Sequence, residues 1–161
     1  MFGASFKDKS LNSFGRAVAD YLDRAGEAVL ISNPVEGIPY VSDIEEDNSS
    51  YKQMLATTRL LFDYGVIWAI AYVFLRDEEY KNLNESAAIR KTDKHLSKFL
   101  KQGLKFVHKH DYDLPKIYSN HKLILNHASD AENSGEKSPF RKGITFSRVF
   151  LGEFYGLKFN D

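Results

Sequence analysis

The sequence predicts an all-α fold, a single-domain helical bundle of about five to seven helices around one central apolar helix. Apolar residues recur at intervals of three and four along most of the chain, which is the spacing of a helix face. The length of 161 residues and the 43% hydrophobic content fit one domain, residues 1–161, with its own core. The most apolar run, GVIWAIAYVFL at residues 65–75, is shorter than the roughly 20 residues that span a bilayer. We therefore expect a buried core helix without stable membrane insertion.

The first helix is predicted to begin after Ser10, a residue type that caps helix N-termini. Its apolar side would contain Leu11, Phe14, Val18, Tyr21, Leu22 and Ala25. Gly26 could end this helix, or the helix could continue to Ile31. In either case Asn33-Pro34 should stop it, because helical geometry is disfavoured for the residue before a proline.

The central helix follows a long connection, NPVEGIPYVSDIEEDN, which contains two prolines, a glycine and a cluster of acids. Ser49 or Ser50 is placed to cap this helix, which should extend to about Arg76. Asp63 is the exceptional residue in it, because a buried carboxylate needs a partner. We expect Asp63 to be hydrogen-bonded, paired with Arg59 four residues earlier, or exposed on the one open face.

A third helix is predicted across residues 89–110, after a polar break in which Asn84 is placed to act as the N-cap. A fourth helix should start near Asp113, because Leu114-Pro115 follows it. Residues 129–143 read as a loop rich in polar and turn-forming residues. Residues 144–157 fit either a helix or a strand, and the helix is favoured.

The composition excludes several classes of function. The chain has no cysteine, so disulfides, thiolate metal sites and thiol nucleophiles are ruled out. Its 22 basic and 22 acidic residues balance, which argues against a surface that coats nucleic acid throughout. It has no P-loop, G-x-G-x-x-G, G-x-S-x-G or H-E-x-x-H motif. The first residues lack the apolar core of a signal peptide, so we expect a cytoplasmic protein.

Charge is segregated along the chain despite the overall balance. Residues 33–86 contain ten acids and four bases, whereas residues 87–125 contain nine bases and three acids. In one continuous helix, the lysines of residues 89–110 would form a stripe on the outer face. The stripe fits an ordinary solvated face or a surface that binds an anionic partner. The candidate partner-binding residues come from this stripe and from the acidic connection: Lys94, Lys98, Lys101, Lys105, Asp43, Glu45, Glu46 and Asp47.

Arg90 and His95 form an R-x4-H pair in the same basic segment. The pair resembles the R-x4-6-H motif of HEPN ribonucleases, which are also small helical bundles. In that family the arginine and the histidine gather at a dimer cleft and cut RNA. In one straight helix the two residues would point about 140° apart, so they would have to cooperate across a helix start or across a dimer. The resemblance implies RNA cutting or RNA binding as an alternative function, with Arg90 and His95 as its catalytic residues.

The run HKHDYD, which contains His108, His110, Asp111 and Asp113, combines imidazole and carboxylate groups that suit a transition metal. Helix ends also collect such residues without a metal, because basic side chains interact favourably with the C-terminal dipole. We therefore assign neither a metal nor a cofactor. His121 falls on the apolar side of the predicted fourth helix and is interpreted as a hydrogen-bonded core residue.

The favoured function is non-catalytic binding of another protein. Small size, absent catalytic motifs and strong charge patches are typical of protein inhibitors such as toxin-neutralising immunity proteins and phage antagonists. The acidic residues 43–47 would suit the basic cleft of a nuclease or toxin, because a long loop can reach into a cleft. RNA is the alternative partner, through Arg90 and His95.

Overall fold

The computed structural model describes residues 8–44, 50–75, 82–92, 94–95, 105, 109 and 138–159. Within these ranges every regular element is helical and no residue is in a strand, so the predicted all-α class is confirmed. The helices are α1 (Asp8–Asp20), α2 (Gly26–Ser32), α3 (Ser50–Leu75) and α4 (Pro139–Tyr155). Residues 85–92 are also helical, as are residues 94, 95, 105 and 109. The size of the whole bundle stays a prediction.

Helices α1 and α2 are joined into one helical stretch by a π-helical turn, Tyr21–Ala25. Gly26 therefore begins α2 instead of ending the first helix. A side chain at Gly26 would be obstructed, because its Cβ would lie 2.3 Å from the Tyr21 carbonyl oxygen. The stretch ends at Ser32, directly before Asn33-Pro34, as predicted.

Helix α3 lies at the centre of the core among the described residues, as predicted for its apolar half. From Arg59 to Ala71 every residue is buried except Leu61, which is half-buried. Its described residues are helical from Ser50 to Leu75, within the predicted range, and the residues on either side lie outside the described part. The core around it includes residues from α1, the π-helical turn and α4: Phe14, Val18, Tyr21, Phe146, Phe150 and Leu151.

Over Ser50–Phe74 the same helix is long and apolar enough to cross a membrane, judged by length and composition alone, because an 18-residue window within it has a mean hydropathy of 1.3. However, 67% of the apolar window is buried inside the protein. Because core helices of soluble proteins show this pattern too, the hydropathy of α3 does not by itself assign it to a membrane.

Helices α3 and α4 touch through their backbones at two glycines. A Cβ on Gly65 would lie 2.0 Å from the Phe140 carbonyl oxygen, and a Cβ on Gly143 would lie 2.0 Å from the Phe62 carbonyl oxygen. Beside this contact the rings of Phe62 and Phe146 pack with their centroids 5.3 Å apart. Neither glycine position has room for a larger residue unless the helices separate.

The loop predicted at residues 129–143 is wrong from residue 139 onward, because α4 begins at Pro139. Ser138 caps this helix by accepting a hydrogen bond from the Arg141 N–H at 3.1 Å. Proline is favoured at the first helical position, where its missing N–H has no intrahelical partner to lose. The favoured helix for the tail is confirmed as far as Tyr155, and it ends where Gly156 adopts a left-handed φ of 63°.

Asn84 caps the helical segment 85–92, as predicted, by accepting a hydrogen bond from the Ala87 N–H at 2.8 Å. The predicted fourth helix, including Asp113 and His121, lies outside the described residues.

Candidate functional site

A buried ion pair lies where α3 meets the π-helical turn. Arg59 and Asp63 are each 1% exposed, and the Arg59 Nε donates to both oxygens of the Asp63 carboxylate at 2.9 and 3.0 Å. The Tyr21 hydroxyl also donates to Asp63, at 2.6 Å. Two of the outcomes predicted for Asp63 therefore occur, the hydrogen bond and the pairing with Arg59 four residues earlier, and exposure on an open face is wrong.

The same arginine extends the network toward the connection after α2. Its Nη1 donates to the Glu27 carboxylate at 3.1 Å and to the Pro39 carbonyl oxygen at 3.2 Å. Arg59 thus links a carboxylate within α3, a carboxylate on α2 and the backbone of the connection. Since the guanidinium fork holds several acceptors in fixed directions, these three parts are fixed relative to one another.

Glu27 holds the end of the connection through its carboxylate. It accepts hydrogen bonds from the Val41 N–H at 3.1 Å, the Ser42 N–H at 3.1 Å and the Ser42 hydroxyl at 2.8 Å. Burial raises the pKa of Glu27, but the hydrogen bonds from Ser42 and Val41 and the charge of Arg59 outweigh it, so the pKa lies below its ordinary value of 4.5. Glu27 is therefore a carboxylate at neutral pH.

Two lysines hold the backbone of the connection from other helices. Lys52 of α3 donates to the Asp43 carbonyl oxygen at 3.1 Å, and Lys142 of α4 donates to the Glu36 carbonyl oxygen at 2.8 Å. Ile38, between them, is buried in the core. We call residues 34–44 the anchored loop, because side chains from α2, α3 and α4 all bind it.

The anchored loop carries one of the predicted partner-binding residues to the surface. Asp43 is exposed in the 3-10 turn Val41–Asp43. Glu45, Glu46 and Asp47, which follow it in the sequence, lie outside the described residues.

Two of the four lysines predicted to bind a partner lie in the described part of the chain. Lys94 and Lys105 are helical and exposed, whereas Lys98 and Lys101 lie outside the described residues. The lysine stripe across these four positions therefore stays a prediction.

The R-x4-H pair lies within the described helical residues. Arg90 is exposed and His95 is half-buried. The two residues differ in their access to solvent, and their joint role in cutting RNA stays a prediction.

No group of three or more histidine, aspartate or glutamate residues suited to a metal occurs in the part of the chain that the structure describes. His108, His110, Asp111 and Asp113 lie outside that part.

Sequence reasoning missed Glu27 and Tyr21 as partners of the Arg59–Asp63 pair. Both lie on the first helical stretch, where Glu27 reads as an ordinary exposed acid and Tyr21 as an ordinary core aromatic. The hint was Asp63, because a buried carboxylate usually needs more donors than one arginine. Comparison with protein-family models, curated proteins and solved structures finds no match for this chain.

Proposed function

We propose that the protein is a non-catalytic binding protein, an inhibitor that presents the acidic residues Asp43, Glu45, Glu46 and Asp47 to a basic partner protein. The partner class that fits is a nuclease or a toxin with a cationic cleft. In this proposal the carboxylates take the place of phosphate groups in the partner's cleft.

The observation that supports this proposal is the anchored loop. It is bound by Glu27, Arg59, Lys52 and Lys142, and near its end it carries the exposed Asp43, with one residue between Asp43 and the other acids of the sequence. A loop that is already ordered loses less conformational freedom when it binds, so more of the contact energy appears as affinity.

The electrostatics of the described part agree with this role. The three cations that bind the anchored loop contact backbone carbonyl oxygens or the carboxylates of Asp63 and Glu27, and the side chain of Asp43 is exposed. A surface of this kind attracts a basic partner, and the attraction weakens as salt screens it.

A pull-down from native lysate at low and high salt, with mass spectrometry of the captured proteins, tests the proposal. The native chain is compared with a variant that neutralises the four acids (Asp43→Asn, Glu45→Gln, Glu46→Gln and Asp47→Asn). The matched control neutralises the four lysines (Lys94→Gln, Lys98→Gln, Lys101→Gln and Lys105→Gln). We expect a basic protein that the native chain and the lysine variant retain at low salt and that the acid variant loses. Loss with the lysine variant alone would contradict the choice of surface.

The alternative, RNA cutting through Arg90 and His95, gives a different result. A ribonuclease would degrade labelled single-stranded RNA, and Arg90→Ala with His95→Ala would abolish the cleavage. An inhibitor would leave the RNA intact, and the same two substitutions would not change its capture of the basic protein.

A further inference from the structure

Ser42 is exposed, and its hydroxyl contacts Glu27, the carboxylate that holds the end of the anchored loop. It lies in the 3-10 turn at the end of the anchored loop, and its hydroxyl donates to Glu27 at 2.8 Å. The sequence from this serine onward is S-D-I-E-E-D, which places carboxylates one, three, four and five positions after the hydroxyl. A protein kinase with a basic substrate groove selects serines by carboxylates in such positions, because opposite charges steer and orient the substrate.

We propose that Ser42 is a phosphorylation site for an acid-directed protein kinase, and that its phosphate releases the end of the anchored loop from Glu27. The γ-phosphoryl group of ATP is transferred to the Ser42 Oγ, the hydroxyl proton is lost, and ADP leaves. The inference does not depend on the identity of a partner, because both the modification and the release are measured on the free protein.

The release follows from the charges around Ser42. The phosphate brings between about one and a half and two negative charges at neutral pH, and it removes the hydroxyl proton that Glu27 accepts. The Glu27 carboxylate is itself charged, because its pKa lies below the ordinary value, so the two groups repel each other across a former hydrogen-bond distance. The backbone N–H groups of Val41 and Ser42, which bind the same carboxylate, then separate from it.

A cation near the contact between Ser42 and Glu27 could pair with the phosphate and keep the loop in place. Arg59 is buried and already binds Asp63, Glu27 and the Pro39 carbonyl oxygen. Lys52 donates to the carbonyl oxygen of Asp43, the residue after Ser42, and is the cation that would compete for a phosphate on Ser42. Pairing of the phosphate with Lys52 would hold the loop in place, whereas repulsion by Glu27 would release it.

Phosphorylation of the full chain by casein kinase II with ATP and Mg²⁺ tests the site. Peptide mass spectrometry should locate the phosphate on Ser42, and Ser42→Ala should remove it. Ser49 and Ser50 are matched controls in the same stretch, because no carboxylate occurs in the five residues after either of them. Absence of phosphate from Ser42 of the native chain, or equal labelling of Ser49 and Ser50, would overturn the assignment.

Hydrogen exchange of the phosphorylated chain tests the release. The amides of Val41 and Ser42 should exchange roughly tenfold faster or more, since each loses a hydrogen bond to a charged acceptor. In Glu27→Gln, which lacks the repelling charge, phosphorylation should change the exchange much less. Unchanged or slower exchange in the phosphorylated native chain would show that Lys52 holds the loop, and it would overturn the release.

Discussion

Helix α3 contacts its neighbours in two contrasting ways along its length. Through Arg59 and Asp63 it faces α2, the π-helical turn and the anchored loop by buried polar groups. Through Gly65 it faces α4 by direct backbone contact. The polar contact depends on matching donors and acceptors, so one partner can be replaced if the other is replaced with it. The glycine contact requires that Gly65 and Gly143 have no Cβ atom, because a Cβ would collide with the backbone of the other helix. A second substitution on α3 cannot move that backbone carbonyl away from an added methyl group.

Arg59→Met should have the largest effect, a loss of about 3–5 kcal/mol in the free energy of unfolding, because it leaves the Asp63 carboxylate buried without its cation. Urea denaturation measures the loss. The double variant Arg59→Met with Asp63→Leu should recover most of it, since an apolar pair can replace a buried ion pair at similar volume. A double variant as unstable as the single one would show that the links of Arg59 to Glu27 and Pro39 and of Asp63 to Tyr21 matter more than the ion pair itself.

Gly143→Ala should lower the free energy of unfolding by about 3 kcal/mol, because the added Cβ would lie 2.0 Å from the Phe62 carbonyl oxygen and force α3 and α4 apart. Gly152→Ala on the same helix is the matched control. Its Cβ would lie 3.6 Å from the Leu157 carbonyl oxygen, an ordinary contact, and alanine is the better helix former by about 1 kcal/mol. Thermal denaturation should rank the chains Gly152→Ala, native and Gly143→Ala in falling stability. Equal stability of the two variants would contradict the close backbone contact.

Tyr21→Phe should cost about 2 kcal/mol, less than either change above, because it removes one hydrogen bond to a charged group and leaves Asp63 paired with Arg59. Tyr51→Phe is the control, since Tyr51 is 63% exposed and should change stability by less than about 0.5 kcal/mol. Measured in the Arg59→Met background, the effect of Tyr21→Phe reports how strongly the two donors of Asp63 depend on each other. Additive effects would show that the polar contact is a set of separate bonds instead of one network.

The polar contact was predictable from the sequence where it is local. Asp63 stands out in an apolar helix, and Arg59 lies one helical turn before it, so the pair follows from helix spacing and from the cost of burying a charge. Tyr21 and Glu27 were not predictable in this way. They lie 42 and 32 positions from the residues that they bind, and no local pattern specifies which helix face will meet α3.

The glycine contact was not predictable, although both glycines are visible in the sequence. Glycine inside a helix has several explanations, and only the crossing of α3 and α4 identifies this one. The start of α4 could have been found, because Ser138-Pro139 is a normal beginning for a helix. Serine, proline and glycine in the neighbouring residues also form turns, so the sequence pattern alone favours a loop there. The apolar half of α3 was predictable, because its run of apolar residues is longer than a strand and too continuous for a loop.

The smallest predicted effect concerns the pH dependence of stability through Glu27. Burial raises the pKa of Glu27 in the folded chain, but the hydrogen bonds of Ser42 and Val41 and the charge of Arg59 together outweigh it and bring the pKa below its ordinary value. Because the unfolded chain binds this proton more readily, the contribution of Glu27 is complete above the ordinary value of 4.5 and is lost as the pH falls through the folded pKa. Urea denaturation between neutral pH and pH of about 3 should therefore give a steeper acid loss for the native chain than for Glu27→Gln. Ser42→Ala, which removes only the hydroxyl donor, should give an intermediate slope. Equal slopes in all three chains would mean that the polar contact, like the glycine contact, does not respond to protonation at Glu27.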